Sequence, residues 1–285
     1  MSTEAVSLPL RPQRRLTAAV ARRWLAEHLL SAYAVLALLY LFLPIVVVIA
    51  FSFNNPRGRF NYTWDSFTFK NWTHPFGVPG IGSAIRISLE IALISSIAAT
   101  MLGALMALAL ARYQFRGRGV VNTLIFLPMA TPEIVMGSSL LALFLQRNVA
   151  TGFGTILIAH IMFNISYVVV TVKARLVGFD RHLEEAAMDL FANEFTTFRK
   201  VTLPLIAPGI LAAFLLAFAL SVDDFVITNF NAGATVTFPL FVWGAARVGA
   251  PPQINVIGTA IFAIAVSVML ANVLWQRGRA TRKGV

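Results

Sequence analysis

The sequence has no cysteine and few charged residues, and both shortages limit what the protein can be. Without cysteine it forms no disulfide bond, no thiolate metal site and no cysteine nucleophile. Only 12% of the 285 residues are charged whereas 58% are hydrophobic, and the mean hydropathy is +0.76. A soluble globule of this length needs more polar surface than this composition supplies. The composition therefore predicts an integral membrane protein.

Acidic residues are especially scarce. The chain has 12 Asp and Glu against 23 Lys and Arg, which gives a formal net charge of +11. A nucleic-acid-binding protein concentrates its basic residues on one solvated face. Here the basic residues lie in the gaps between apolar runs, a pattern typical of the loops beside membrane helices. The charge therefore does not indicate nucleic-acid binding.

Six apolar runs are long enough to cross the hydrocarbon core of a membrane, which takes about 20 helical residues. They predict an all-α, polytopic protein with a six-helix transmembrane domain over residues 30–275, between basic segments at 1–29 and 276–285. The predicted spans are Leu30–Phe53, Ile85–Ala111, Val120–Leu145, Phe153–Leu176, Ala207–Asn229 and Asn255–Trp275.

Basic residues divide unevenly between the two sides that six spans create. Seventeen lie on the side of the N-terminus and six on the other side. The positive-inside bias therefore predicts that both termini are cytoplasmic. Because no small-residue cleavage site follows the first apolar run, we expect it to be retained as a span. The segment Asn54–Ala84 then forms an external loop, with Trp64 and Trp72 at the membrane interface.

The longest cytoplasmic interval, residues 178–206, has the pattern of a short amphipathic helix followed by a second element. The apolar stripe of the first helix repeats at helical spacing and consists of Leu183, Ala186, Ala187, Leu190 and Phe191. Phe195 and Phe198 continue the apolar pattern, and we expect the second element to stop at Leu203-Pro204. Such a helix either lies on lipid headgroups or fills a groove on a partner protein.

The segment EEAAMDLFANEFTTFRKVTLPLIAPGI, Glu184–Ile210, resembles the cytoplasmic EAA loop in the permease subunits of bacterial ATP-binding-cassette importers. The family's pattern is Glu-Ala-Ala, three residues, Gly, about nine residues and then apolar-x-Leu-Pro. The matching residues here are Glu185, Ala186, Ala187, Val201, Leu203 and Pro204. Phe191 stands at the usual Gly position, and because Phe does not readily turn there, we expect no normal Gly-mediated bend.

The resemblance implies a helix-turn-helix that seats in a groove of a separate ATPase subunit. Glu185 would make a polar contact with that subunit, and Leu190, Phe191 and Phe198 would form the packed part. Nothing in the chain resembles Gly-x-x-x-x-Gly-Lys-Ser/Thr, the loop that holds nucleotide phosphates. The chain is therefore expected not to be an enzyme, with ATP and Mg used by the partner ATPase.

The resemblance covers nearly the whole chain. ALARYQFRGRG after the second span, LPMATPEIVMG in the third, and the segment Ser221–Thr259 are similar to the second permease of spermidine/putrescine importers. The resemblance implies a multi-pass protein of the bacterial cytoplasmic membrane, surrounded by lipid. Its partners would be a homologous second permease, two ATPase subunits and an extracytoplasmic solute-binding protein. Other substrates stay open, namely other cations, gamma-aminobutyrate and opine-like solutes, and so does an ion-coupled secondary transporter.

Four carboxylates fall within the predicted spans, at mid-depth or nearer the outer side. They are Asp223 and Asp224 in FALSVDDFVITNF, Glu133 and Glu90. Placing a carboxylate inside a membrane costs free energy, so such a residue is rarely there without a function. Carboxylates are suited to line a path for ammonium groups, because they replace contacts with water that these groups lose. Because Asp223 and Asp224 point about 100° apart on a helix, both cannot face one narrow path. The alternative is that one of the two caps a helix or hydrogen-bonds a neighbouring span.

The remaining polar and helix-breaking residues of the spans have structural interpretations. Pro128 and Pro132 are expected to kink the third span. We expect Asn164, Asn229 and Asn272 to hydrogen-bond between helices. The four histidines match no metal spacing, and the sequence shows no pairing of a nucleophile with a base in the spans, so an intramembrane enzyme is not expected.

Overall fold

The computed structural model describes residues 14–178, 180 and 182–282. Its regular structure is helical, and the β pairing found in the described part of the chain is an isolated bridge between Asn54 and Phe67. The all-α class is therefore confirmed. The helices are α1 (Arg14–Ser52), α2 (Lys70–Thr73), α3 (Ile81–Arg112), α4 (Arg118–Ala130), α5 (Glu133–Gln146), α6 (Phe153–Val177), α7 (His182–Asp189), α8 (Glu194–Thr197), a π-helical turn (Phe198–Thr202), α9 (Leu203–Asp223), α10 (Val226–Asn231), α11 (Phe238–Val248) and α12 (Pro252–Arg282).

Four helical stretches among the described residues are long and apolar enough to cross a membrane, and a bent helix pair adds a fifth. They cover the first, second, fourth and fifth predicted spans, and the bent pair covers the third. The fifth stretch ends at Asp223 instead of the predicted Asn229, because the helix breaks there. The sixth predicted span lies in α12, whose described apolar part, Pro252–Ser267, is shorter than a full crossing. The count of six spans stays a prediction.

Proline breaks the third predicted span into α4 and α5, which meet at 105°. Thr131 between them is extended, with φ −81° and ψ 132°, since the residue before a proline is disfavoured in the helical region. Pro132 precedes the first residue of α5. The predicted kink is confirmed, and it is a complete interruption of the helix.

The chain divides into two units, residues 1–75 with 251–285 and residues 76–250. In the first unit α1 packs against α12, and the chain after α1 is held by amide side chains. Asn54 donates to Asn61 Oδ1 at 2.7 Å, and Asn71 donates to the carbonyl oxygen of Asn54 at 2.7 Å. Trp72 stacks on Phe53 at a centroid distance of 5.5 Å. These contacts order the beginning of the predicted external loop.

The second unit is built on the packing of α3, α6 and α9. Small residues allow these helices to approach closely, as is common where helices pack in membranes. A Cβ atom added to Gly103 of α3 would lie 2.6 Å from Val168 Cγ1 of α6. Other helix surfaces carry exposed large apolar side chains, as expected where lipid or a partner chain covers them; on α3 and α9 these include Leu93, Ile97, Leu105, Leu211 and Leu215.

Candidate functional site

The predicted helix-turn-helix is formed by α7 and α8, joined by residues 190–193 and continued by the π-helical turn into α9. Three apolar side chains project from it: Leu190 is 81% exposed, Phe191 99% and Phe195 71%. Phe198, predicted to belong to the same packed surface, is half-buried. We call Leu190, Phe191 and Phe195 the apolar patch. An exposed apolar patch of this kind is typical of a surface that another molecule covers.

Phe191 makes the turn that glycine makes in the family's pattern. Its φ is 62°, in the left-handed region that glycine favours. The Ala192 amide donates to the Ala187 carbonyl at 3.1 Å, and the Phe191 amide donates to the Met188 carbonyl at 2.9 Å. This pair of bonds is the Schellman arrangement that ends many helices. The expectation that the bend would be lost is therefore wrong, because the two hydrogen bonds hold a phenylalanine in a conformation that costs about 1–2 kcal/mol.

Glu184 ties the start of α7 to two other helices. Its Oε1 accepts hydrogen bonds from Arg112 Nη2, at the end of α3, and from Thr202 Oγ1, just before α9. Arg112 Nη2 also donates to Thr202 Oγ1 at 3.2 Å. Thr202 is fully buried, and the Glu184 side chain is 16% exposed. We call Arg112, Glu184 and Thr202 the loop clasp. The sequence gives no sign of it, since Arg112 lies 72 residues from Glu184.

The other residues of the motif have different environments. Glu185 and Ala186 are exposed and Ala187 is half-buried, so the predicted contact between Glu185 and an ATPase stays a prediction. Leu203 and Pro204 are exposed in the first turn of α9. The predicted stop at Leu203-Pro204 is wrong, because proline is compatible with the first turn of a helix and here α9 begins with these residues.

An exposed ion pair lies where the loop leaves α6. His182 Nδ1 is 2.6 Å from Asp180 Oδ1, and the His182 amide donates to the same oxygen at 3.0 Å. The hydrogen bond from the His182 ring lowers the pKa of Asp180 below its usual value. The same bond, followed by the negative charge of Asp180, raises the pKa of His182. Each group therefore stabilises the charged form of the other.

The side chain of Asp224 is buried and belongs to a hydrogen-bond network. Its Oδ2 accepts bonds from the amide and the hydroxyl of Thr228, both at 2.8 Å, and lies 3.2 Å from His160 Nε2. The side chains of His160 and Asp224 are 3% and 6% exposed. The alternative that one aspartate caps a helix and bonds to a neighbouring span therefore holds for Asp224, which caps the start of α10. Oδ2 of Asp224 is thus engaged within the protein, and a role of Asp224 in a substrate path stays a prediction.

The network continues from His160 to α9 and α3. His160 Nδ1 lies 2.6 Å from Ser221 Oγ, which lies 3.1 Å from Ser95 Oγ. Ser221 and His160, 61 residues apart in sequence, thus meet in the fold as a buried hydrogen-bonded pair, and the expectation that the chain is not an intramembrane enzyme stays a prediction. Both side chains are buried, and the network joins α3, α6, α9 and α10. His160 has no role that the sequence could reveal, since a single histidine in a span gives no pattern.

Asp223 has the opposite environment to Asp224. It is the last residue of α9, it is exposed, and it forms no ion pair with any residue that the structure describes. No amide hydrogen caps this end of α9 within the described segments. The end of a helix carries partial negative charge on its free carbonyl groups. A carboxylate beside such carbonyls is a favourable place for a cation.

The other two predicted acids lie elsewhere in the second unit. Glu133 is exposed at the first residue of α5, where the helix dipole favours a negative charge. Glu90 accepts a hydrogen bond at 2.7 Å from Arg86, one turn earlier on α3. Among the described residues, no hydrogen bond or ion pair links Asp223, Glu133 and Glu90 to one another. Their common role as a substrate path stays a prediction.

The hydrogen bonds between helices are made by a different asparagine from the three that the sequence predicted. Asn164 is fully buried, yet neither polar atom of its side chain has a partner among the described residues. Asn229 is exposed, and the side chain of Asn272 lies outside the described part. Asn231 instead donates from its side-chain amide to the Gly137 carbonyl at 3.3 Å, and its backbone carbonyl accepts a hydrogen bond from the Thr155 hydroxyl at 2.8 Å. The interhelical role thus belongs to a residue at the end of α10.

Comparison with solved structures supports the fold. The chain of a bacterial ABC transporter involved in the import of the acidic polysaccharide alginate superimposes with a TM-score of 0.69 at 16% identity, over 92% of this chain and 99% of that one. The chain of an amino acid ABC transporter solved with histidines superimposes with a TM-score of 0.54 at 16% identity, over 75% of this chain and 99% of that one. At such identities these likenesses show the fold alone.

Comparison with curated proteins is more specific. The chain is 39% identical over 246 residues to the spermidine/putrescine transport system permease protein PotC of Shigella flexneri, covering 86% of this chain and 92% of that protein. It is 34% identical over 252 residues to the putrescine transport system permease protein PotI of Escherichia coli strain K12, covering 85% and 89% respectively. Residues 99–277 match the family described as the binding-protein-dependent transport system inner membrane component. The chain therefore belongs to the family of inner membrane components of binding-protein-dependent transport systems.

Proposed function

We propose that the chain is a permease subunit of an ATP-driven importer that moves a polyamine across the bacterial inner membrane. It works with a homologous second permease subunit, two ATPase subunits that use ATP and Mg, and an extracytoplasmic solute-binding protein. Both termini and the loop of α7 and α8 lie in the cytoplasm, as the distribution of basic residues favours. The polyamine substrate is supported by the names of relatives at 34–39% identity over most of the chain.

The observation that carries the proposal is the different environment of the two neighbouring aspartates. His160 and Thr228 hold Asp224 in place, so the helix break after α9 has a fixed geometry. Asp223 is left exposed at the end of α9, next to carbonyl groups that no amide caps in the described segments. An ammonium group that loses its hydration shell regains contacts with the carboxylate and with these carbonyl oxygens. Ends of broken membrane helices coordinate cations in transporters in this way.

The loop and Asp223 lie at the two ends of the same helix. α9 runs without interruption from Leu203, at the loop, to Asp223. Its 21 residues span about 30 Å at 1.5 Å per residue. The loop clasp attaches α7 to the residue that precedes α9. Movement of the loop by an ATPase is therefore passed to Asp223 along one helix.

The substrate assignment is tested by charge. The complete transporter is reconstituted in proteoliposomes, and initial uptake of spermidine is compared with that of gamma-aminobutyrate. Asp223→Asn should reduce spermidine uptake at least tenfold, because each ammonium group then loses a charged partner. Asp65→Asn, which neutralises an exposed acid in the loop after α1, is the matched control and should leave spermidine uptake within twofold of wild type.

Two outcomes of this test speak against polyamine import. The first is that the wild-type transporter takes up gamma-aminobutyrate but not spermidine, which would make its substrate a zwitterion. The second is an equal loss for both solutes in Asp223→Asn, which makes the role of Asp223 structural.

A further inference from the structure

A cavity of about 350 Å³ lies in the second unit, where four helices begin or end. Arg112 lines it from the end of α3, Arg118 from the start of α4, Lys173 from the last turns of α6 and Glu184 from α7. The cavity therefore holds three cations and one carboxylate. A concave site with an excess of basic groups is suited to an anion.

The single carboxylate does not neutralise this cavity. Glu184 is engaged with Arg112 and Thr202 in the loop clasp. Lys173 Nζ donates to the neutral Asn122 Oδ1 at 2.9 Å. Arg118 Nε is buried and has no hydrogen-bond partner in the described part of the chain. Among the described residues, two cations thus lack an anionic partner, and a buried N–H group of one of them lacks an acceptor.

The start of α4 adds to the positive potential. Its N-cap residue is Gly117, which has a φ of 90° and provides no side-chain cap. The first amide hydrogens of a helix point outward from its N-terminus and favour a negative charge there. Arg118 is the first residue of α4, so this end of the helix borders the cavity. Phosphate groups are common ligands of such helix ends.

The rest of the surroundings are apolar. Leu176 and Val177 line the same cavity, and Val177 is 83% exposed. Both α3 and α6 are long and apolar enough to cross a membrane, and both end at the cavity. The basic groups therefore lie at the level where a membrane helix leaves the hydrocarbon layer, which is also the level of lipid phosphate groups.

We propose that this cavity binds the phosphate group of an anionic phospholipid. Arg118 and Lys173 contact the phosphate, Leu176 and Val177 contact the start of an acyl chain, and Arg112 keeps its bond to Glu184. Basic pockets between membrane helices on the cytoplasmic side bind anionic headgroups in this manner. Only the choice of the cytoplasmic leaflet rests on the proposed function. Because Glu184 belongs to both the cavity and the loop clasp, the bound lipid steadies the loop.

The test measures retained lipid in the absence of ATP and substrate, so it is independent of transport. The assembled transporter is placed in nanodiscs of equal phosphatidylglycerol and phosphatidylcholine, and the lipids that remain after detergent extraction are counted by native mass spectrometry. Wild type should retain phosphatidylglycerol at least fivefold over phosphatidylcholine. Arg118→Gln with Lys173→Gln should abolish this preference.

The control variant, Arg116→Gln with Arg199→Gln, removes the same charge from two exposed positions that do not line the cavity. It should keep the wild-type preference. If the control loses the preference equally, the effect is one of overall charge and the proposal is overturned. Displacement of the lipid by inorganic phosphate also overturns it, because the site then takes a soluble anion.

The result does not depend on one variant. If Arg118→Gln with Lys173→Gln does not fold, Arg118→Lys keeps the charge but removes the Nε donor, and it should retain less phosphatidylglycerol than wild type. A wild-type transporter that retains both lipids equally contradicts the proposal without any variant.

Discussion

Replacing Phe191 by glycine should stabilise the turn between α7 and α8 and weaken the binding of this loop to the proposed ATPase subunit. A non-glycine residue in the left-handed region costs about 1–2 kcal/mol, and Phe191 has a φ of 62°. Glycine removes this cost but adds roughly 0.5–1 kcal/mol of backbone entropy. Because the side chain is 99% exposed, no burial within the chain is lost. The turn should therefore gain about 0.5–1 kcal/mol, obtained as the difference of these two effects.

The same substitution removes the ring from the apolar patch. Fully burying a phenylalanine side chain is worth about 1.5–3 kcal/mol. If the ring enters a pocket of the ATPase, its loss should weaken binding about 10- to 150-fold, at 1.4 kcal/mol per tenfold. Phe191→Ala is the matched variant, since it removes the ring but keeps the left-handed cost. It should weaken binding as much as Phe191→Gly without stabilising the turn.

Two measurements separate these effects. Hydrogen exchange at the Ala192 amide, which donates to Ala187, should slow about two- to fivefold in Phe191→Gly and should not slow in Phe191→Ala. Binding of the isolated ATPase subunit to the permease pair in nanodiscs should weaken in both variants. Faster exchange in Phe191→Gly would refute the claim that Phe191 is strained in the left-handed region. Binding of the ATPase as tight as in wild type, in both variants, would refute the docking role of Phe191.

The remaining predictions concern the loop clasp, the helix packing and pH. Glu184→Gln should lower the melting temperature of the permease, since it leaves the Arg112 guanidinium half-buried beside a neutral group. Glu185→Gln should leave the melting temperature unchanged and reduce ATPase binding. Identical melting curves for the two variants would refute a stabilising role of the loop clasp. Gly103→Ala should destabilise by about 1–3 kcal/mol through overpacking, because its Cβ would lie 2.6 Å from Val168; Gly119→Ala, with no atom within 4 Å, is the control and should not destabilise. The Asp180–His182 pair should protect the amide of His182 from exchange between the ordinary pKa of aspartate and that of histidine. The part of this protection that depends on charged His182 is lost as pH rises through the raised pKa of His182. The part that depends on charged Asp180 is lost as pH falls through the lowered pKa of Asp180. A flat pH profile of exchange, identical to that of Asp180→Asn, would contradict an interaction between the two side chains.

Local sequence patterns predicted the features that depend on neighbouring residues. The spacing of apolar residues located α7, and Pro128 with Pro132 located the break between α4 and α5, because both effects act within one helical turn. The 105° angle of the break could not be predicted, since it depends on what each half packs against.

The features that the sequence did not reveal join distant residues. Asp224 meets His160 across 64 residues and Glu184 meets Arg112 across 72, and neither spacing has a recognisable pattern. The turn at Phe191 was predicted wrongly because residue preference disfavours the left-handed region. The hydrogen bonds of the helix end outweigh that preference, and only the folded geometry shows them.

The central claim, that ATP drives this permease through its loop, is tested most directly by one measurement. Initial spermidine uptake is recorded in proteoliposomes of the assembled transporter, with ATP on the side of the loop and with ionophores that collapse every ion gradient. We expect uptake to continue under these conditions and to stop when ATP is omitted. Uptake that proceeds on an ion gradient without ATP contradicts the claim and makes the protein a secondary transporter.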